Sequence, residues 1–311
     1  MNTDWRPGAS TGVLRRRAAL LRDLRAFLDA RGLCEVQTPL LASTAPTDPH
    51  IHCIAVPGHG WLQPSPEFAM KRLLAAGSGD IYQLGPVFRA GEAGRRHAVE
   101  FTMLEWYRIG MDAPALRGEI TDLVRHVLPG LGPPLAVTWR SAFLEAVDVD
   151  PFTASAGELG DILRAQGIEV HAPLDTAAAL DLLFDARVAP ALPRGRPVFV
   201  TAFPAAQAAL AMLDPEHPEH ALRFELFVDG LELANGYQEL LDADEFERRG
   251  VADRAARRAA GMPDQPLDSR LLAAHRHGLP PCSGVALGVD RLLMCQCGLT
   301  EIASVQAFPA G

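Results

Sequence analysis

A chain of 311 residues with 48% hydrophobic and 22% charged residues can bury a sizeable core, and no apolar run approaches the roughly 18 residues that cross a bilayer. The formal charge of −9 excludes an extended, sequence-independent grip on nucleic acid, which needs a basic surface. Residues 1–13 form a polar tail broken by Pro7, Gly8 and Gly12 rather than a secretory signal, and five unevenly spaced cysteines fit reduced thiols in the cytoplasm.

The first predicted helix covers residues 10–31: Leu14, Ala18, Leu21, Leu24 and Leu28 recur at helical spacing and Gly32 stops it. Its other face carries Arg15, Arg16, Arg17, Arg22 and Arg25, either a solvated face or a docking surface for an acidic partner. A short strand over 34–37 is closed by Thr38-Pro39. Ser65-Pro66-Glu67 then opens a second helix, ended by Gly77; serine accepts from the free N–H groups, proline fits the first turn and glutamate complements the dipole.

Strands are predicted over 81–89 and 100–108, separated by the polar loop 90–97. In the second, Phe101, Met103, Glu105 and Tyr107 share one face by the period of two. A carboxylate and a phenol among core residues are unusual there unless the strand end leaves the core. Residues 113–196 read as helices joined by Pro/Gly-rich connections, a mostly helical insertion. Strands resume over 197–203, 223–229 and 231–241, followed by an Arg-rich helix over 244–260. A last strand over 284–288 leads into a helix from Asp290. Strands paired by loops, with helices to one side, imply an α+β fold with an antiparallel sheet.

Glu232-Leu233-Ala234-Asn235-Gly236-Tyr237-Gln238-Glu239 is the most pointed segment. Two carboxylates seven apart face opposite sides of a regular strand. If Asn235-Gly236 is a hairpin turn they become cross-strand neighbours, and if it is a bulge they again share a face. Like charges side by side need a cation between them, and two oxygen ligands suit a hydrated Mg²⁺ shared with phosphates. Two exposed acids flanking a turn is the plain alternative. Arg89 and Arg291, each at the end of an element, are candidate phosphate clamps, and Gly288 would let a ligand approach the backbone. There is no phosphate loop or Gly-x-Gly-x-x-Gly stretch, and the His and Cys residues lack the paired spacing of a structural zinc site.

Four segments together are familiar. Ser65-Pro66-Glu67 through Lys71-Arg72, Phe88-Arg89, and Glu100-Phe101-Thr102-Met103-Leu104-Glu105-Trp106-Tyr107-Arg108 resemble motif 2 of class II lysyl-tRNA synthetases and the stretch before it. Gly32 to Pro39 resembles motif 1, Gly284-Val285-Ala286-Leu287-Gly288-Val289-Asp290-Arg291 resembles motif 3, and Glu232 to Glu239 resembles the magnesium and amino-acid segment. The likeness runs over 14–311, a class II synthetase-like catalytic domain, and leaves no room for an anticodon-binding domain. The chain is therefore similar to stand-alone paralogues that place (R)-β-lysine on a lysine of translation elongation factor P. Trp106-Tyr107 agrees with that, as does Ala286 where the synthetases generally have glycine.

The resemblance implies a catalytic role for Arg89 on the α-phosphate and for Arg291 on the γ-phosphate. Gly91, Glu92, Ala98, Glu232, Leu233 and Gly288 would complete the ATP site, with Mg²⁺ on Glu232 and Glu239. Ser65, Glu67, Tyr107, Asn235, Glu239 and Ala286 would surround the amino acid. The implied enzyme is a cytoplasmic, ATP-dependent ligase that forms an adenylate and passes it to elongation factor P. It would be a homodimer through motif 1, with neither tRNA anticodon nor membrane as partner. Motif 2 departs from the family at Ala90, Ala98 and Val99, where polar residues and a proline are usual. Two alternatives follow: an activating enzyme with another substrate or acceptor, and a catalytically impaired binding paralogue.

Overall fold

The computed structural model describes residues 5–170 and 174–309. Residues 1–4 of the expected tail, 171–173 of the expected insertion and 310–311 at the end lie outside the described residues. The elements run α1 (Thr11–Asp29), β1 (Cys34–Glu35), β2 (Leu41–Ala42), β3 (Ala55–Val56), β4 (Gly60–Leu62), α2 (Glu67–Ala75), β5 (Ile81–Phe88), β6 (Glu100–Ile109) and α3 (Ala113–Val127). They continue with β7 (Leu135–Thr138), α4 (Trp139–Val147), α5 (Ala156–Ala165), α6 (Thr176–Leu183), α7 (Ala189–Ala191), β8 (Pro197–Pro204), β9 (His220–Val228) and β10 (Leu231–Gln238). The last are α8 (Ala243–Ala259), α9 (Ser269–Gly278), β11 (Cys282–Gly288) and α10 (Val289–Cys297). A π-helical turn, Phe184–Val188, joins α6 to α7. Two compact units emerge: Met1–Leu128 with Glu239–Gly311, and Pro129–Gln238.

In the first unit the strand order is β1-β5-β6-β11. β1 runs parallel to β5, and the β5–β6 and β6–β11 pairs are antiparallel, so the sheet is mixed rather than purely antiparallel. The pairing register sets Gly284 opposite Tyr107 and Ala286 opposite Glu105, with Gln83 opposite Glu105 on the other side. Ser10 caps α1, its Oγ accepting from the Val13 N–H at 3.3 Å. The buried stripe of α1 is Leu20, Leu24 and Leu28; Ala18, expected inside, is exposed, and Leu14 and Leu21 are only half-buried. Arg17, expected on the basic outer face, turns inward. It meets Asp290 Oδ1 at 2.8 Å and donates to Thr102 Oγ1 at 2.6 Å, tying α1 to α10 and β6.

In the second unit the order is β10-β9-β8-β7, with β7 parallel to β8. β7 lies within the stretch expected to be mostly helical. The core beneath is aromatic: Trp139 stacks on Phe184 at 4.4 Å and tilts against Phe203 at 4.7 Å. Asn235-Gly236 is neither turn nor bulge but an ordinary part of β10, with Asn235 paired to Glu225 and Gly236 to Phe224. The register shift lies between Glu232 and Ala234, at Leu233. It puts Glu232, paired with Phe227, on the same face as Asn235 and Tyr237, whose partners are Glu225 and Arg223.

Candidate active site

In the first unit, the start of α2 meets the face of β6. Ser65 has two tasks: its Oγ accepts from the Glu67 N–H at 3.0 Å and donates to Glu105 Oε1 at 2.5 Å. The Tyr107 hydroxyl donates to Glu105 Oε2 at 3.1 Å. Glu105 and Tyr107 therefore face inward, and the strand does not leave the core here; Glu105 is 2% exposed. Burial, then the nearby Glu67 charge, pushes the Glu105 carboxyl up to about 8.

One turn along α2, Lys71 is fully buried with its Nζ 2.7 Å from Glu67 Oε1 and 2.6 Å from Glu239 Oε2. Burial opposes the ammonium charge, but the Glu239 and Glu67 carboxylates outweigh it and hold Lys71 above the usual lysine range. Burial alone would lift the Glu239 carboxyl; the short contact to an ammonium opposes that, and the ion pair is the state this geometry supports. Glu239 Oε1 accepts no hydrogen bond from any described residue. It faces Gly284, where an added Cβ would come within 2.5 Å of it and 2.3 Å of the Tyr107 ring. The half-buried Ala286 stands two residues further along β11.

Arg89 and Arg291 grip the motif 2 loop from two places. Arg89, just past β5, reaches Glu92 Oε1 at 3.4 Å through Nη1, and its guanidinium lies 5.3 Å from the Phe101 ring. Its N–H donates to the Val99 carbonyl at 2.9 Å and that of Ala90 to the His52 carbonyl at 2.7 Å, so the backbone carries this part of the loop despite the alanines. Gly91 turns the loop at φ +78°. Arg291, in the first turn of α10, donates to the Arg96 carbonyl at 3.2 Å and meets His97 Nε2 at 2.7 Å. Ala98 is buried, and Gly288 caps α10.

In the second unit, Glu225 Oε1 accepts from Arg223 Nη2 at 2.6 Å and from Asn235 Nδ2 at 3.0 Å. The amide nitrogen of Asn235 is thereby spoken for, and its Oδ1 is a buried acceptor without a hydrogen bond from any described residue. Burial outweighs the Arg223 charge and pushes the Glu225 carboxyl up to about 7. Leu233 is buried at the bulge, and Glu232 is half-buried beside it.

Lys71, Glu105, Arg223, Glu225 and Gly284 were not singled out as site residues from sequence. Glu105 was visible as the acid on an apolar strand face, and Lys71 as the i+4 partner of Glu67. Among the described residues no group of three or more His, Cys, Asp or Glu could hold a metal ion alone. No helix is long and apolar enough to cross a membrane, among the described residues.

The family model described as tRNA synthetases class II (D, K and N) matches residues 3–311. Proteins named elongation factor P–(R)-β-lysine ligase are similar over nearly their whole length. That of Vibrio cholerae is 45% identical over 319 residues, covering 99% of this chain and 98% of its own. That of Yersinia enterocolitica is 42% identical, covering 99% and 98%, and one from Klebsiella pneumoniae is 42% identical, covering 98% and 97%.

Proposed function

Because the chain belongs to the class II tRNA synthetase (D, K and N) family, we propose that it activates (R)-β-lysine with ATP and ligates it to a lysine of translation elongation factor P. The observation that carries this reading is the set of carboxylates built around α2 and β6, the buried Glu105 and Glu239 with the half-buried Glu67. Buried acids are costly unless a cation meets them, so a pocket of this kind suits a substrate with two amino groups. Lys71 already neutralises one carboxylate charge. Glu105 and the half-buried Glu67 remain for the substrate ammonium groups.

In the first step the substrate carboxylate attacks the α-phosphorus of ATP, giving an aminoacyl-adenylate and pyrophosphate. Arg89 holds the α-phosphate and Arg291 the γ-phosphate, each exchanging its present partner, Glu92 or His97, for phosphate oxygens. Gly91, Glu92, Ala98, Leu233 and Gly288 line the nucleotide. Glu232 and Glu239 suit Mg²⁺ by donor type, and the unpartnered Oε1 of Glu239 fits a cation. When bound, Mg²⁺ neutralises phosphate charge. The chain's own contribution is positioning and preorganised charge. In the second step the acceptor lysine amine attacks the activated carbonyl, and AMP leaves.

The deciding experiment mixes the protein with ATP, Mg²⁺, (R)-β-lysine and elongation factor P and weighs the acceptor. One added β-lysyl residue is expected, and no mass gain would sink the reading. Half-buried Leu14 and Leu21, with Leu40 and Leu41 each 40% exposed, support pairing with a second copy through motif 1. Light scattering at micromolar concentration should give a dimer mass; a monomer mass would contradict it. The proposed place of work is the cytoplasm, with neither tRNA anticodon nor membrane as partner.

A further inference from the structure

Lys71 is the only lysine among the 29 Lys and Arg residues of the chain. Every other basic side chain of these two types is arginine. That includes the exposed Arg15, Arg16 and Arg22 of α1 and the exposed Arg248 and Arg258 of α8. Arginine supplies the same positive charge as lysine, but its guanidinium stays protonated and is a poor nucleophile. The one lysine has 0% side-chain exposure, with its Nζ enclosed between Glu67 Oε1 and Glu239 Oε2.

The proposed reaction makes this composition consequential. An aminoacyl-adenylate acylates any accessible neutral amine: the nitrogen lone pair attacks the carbonyl carbon and a C–N bond forms. The bond from that carbon to the phosphate oxygen breaks, AMP leaves with the electron pair, and the amine's proton passes to water. A ligase with surface lysines is its own nearest acceptor, held at high effective concentration to each adenylate that it makes.

We propose that this chain is built so as not to acylate itself: its surface carries charge on arginine, and its single lysine amine is enclosed between two carboxylates. Amide formation is thereby reserved for the amine that a partner protein brings. Neither observation suffices alone, since an arginine-rich composition could still leave one lysine exposed and a buried lysine could coexist with many on the surface. The inference rests on the function proposed above.

The full-length protein is incubated with ATP, Mg²⁺ and (R)-β-lysine, with and without elongation factor P, then both proteins are examined by intact mass and peptide mapping. The acceptor should gain a β-lysyl residue, and the chain should gain none on any side chain, even without acceptor. Variants Arg16→Lys and Arg72→Lys, which should retain activity toward the acceptor, should become labelled at the new lysine. An adduct on Lys71, or two unlabelled new lysines while the acceptor is modified, would overturn the proposal. An unmodified acceptor together with absent pyrophosphate exchange would instead overturn the functional reading. Independently of that reading, an N-hydroxysuccinimide acetylating reagent should leave Lys71 unreacted in the native protein and modify it after denaturation. Acetylation of Lys71 in the native state would also overturn the proposal.

Discussion

Ala286 stands directly across the β11–β6 pairing from Glu105. Side chains so paired on one face have Cβ atoms about 4.5–5.5 Å apart, so the methyl group borders the buried Glu105 carboxyl. Ala286→Gly removes that methyl. Pyrophosphate exchange should then shift toward α-lysine relative to (R)-β-lysine by about 10- to 200-fold, the range for one methylene in a pocket. An unchanged preference would remove Ala286 from specificity.

Arg89→Ala should lower pyrophosphate exchange by about 10²–10³-fold, the usual loss for one preorganised charge-stabilising donor. Arg89 is part-exposed and its contacts to the Pro64 carbonyl and Glu92 are long, 3.4 Å each, so folding should survive, as checked by circular dichroism and melting. Wild-type exchange would refute the α-phosphate role.

Glu105 predicts a pH dependence. In the free protein it carries a proton at pH 7, because burial and then the Glu67 charge raise it to about 8 against the Ser65 and Tyr107 hydrogen bonds and the Arg89 charge. A substrate ammonium favours the ionised form. KM for the amino acid should therefore fall as pH rises from about 7 toward about 9, and Glu105→Gln should raise KM and flatten the curve. Stability has the opposite slope. The folded state retains a proton that the unfolded chain releases from the ordinary value of 4.5, so stability falls with rising pH from there to about 8. Melting curves across that window should be flatter for Glu105→Gln.

Gly284→Ala tests how closely the pocket is packed. The new methyl would meet the Tyr107 ring and Glu239 Oε1, and both are held, by Glu105 and Lys71 respectively. Overpacking of this kind costs about 1–3 kcal/mol, seen as a Tm lowered by several degrees. Gly85→Ala in β5 is the control, since nothing lies within 4 Å of its added Cβ. Equal Tm values for the two variants would contradict the packing.

Local signals made much of this fold legible. Ser10 and the leucine spacing marked α1, Ser65-Pro66-Glu67 marked α2, and the alternation Phe101, Met103, Glu105, Tyr107 marked β6. β7 was not legible because four residues become a strand only through pairing with β8. The same holds for the bulge: Asn235-Gly236 carries the stronger turn signal, but the pairing of β10 with β9 puts the irregularity at Leu233. In the site, Glu67 and Tyr107 came from a local motif. Lys71 was not legible as a site residue, because its burial depends on Glu239, far along the chain.

Asp290 spans a great distance in sequence. One of its oxygens takes Arg17, 273 residues earlier, and the other takes the Thr102 N–H at 2.6 Å. Its chain neighbour is Arg291. The first helix is thus a splint for the residue proposed to steady the far end of the triphosphate, and the catalytic end of the chain borrows its rigidity from the opening one.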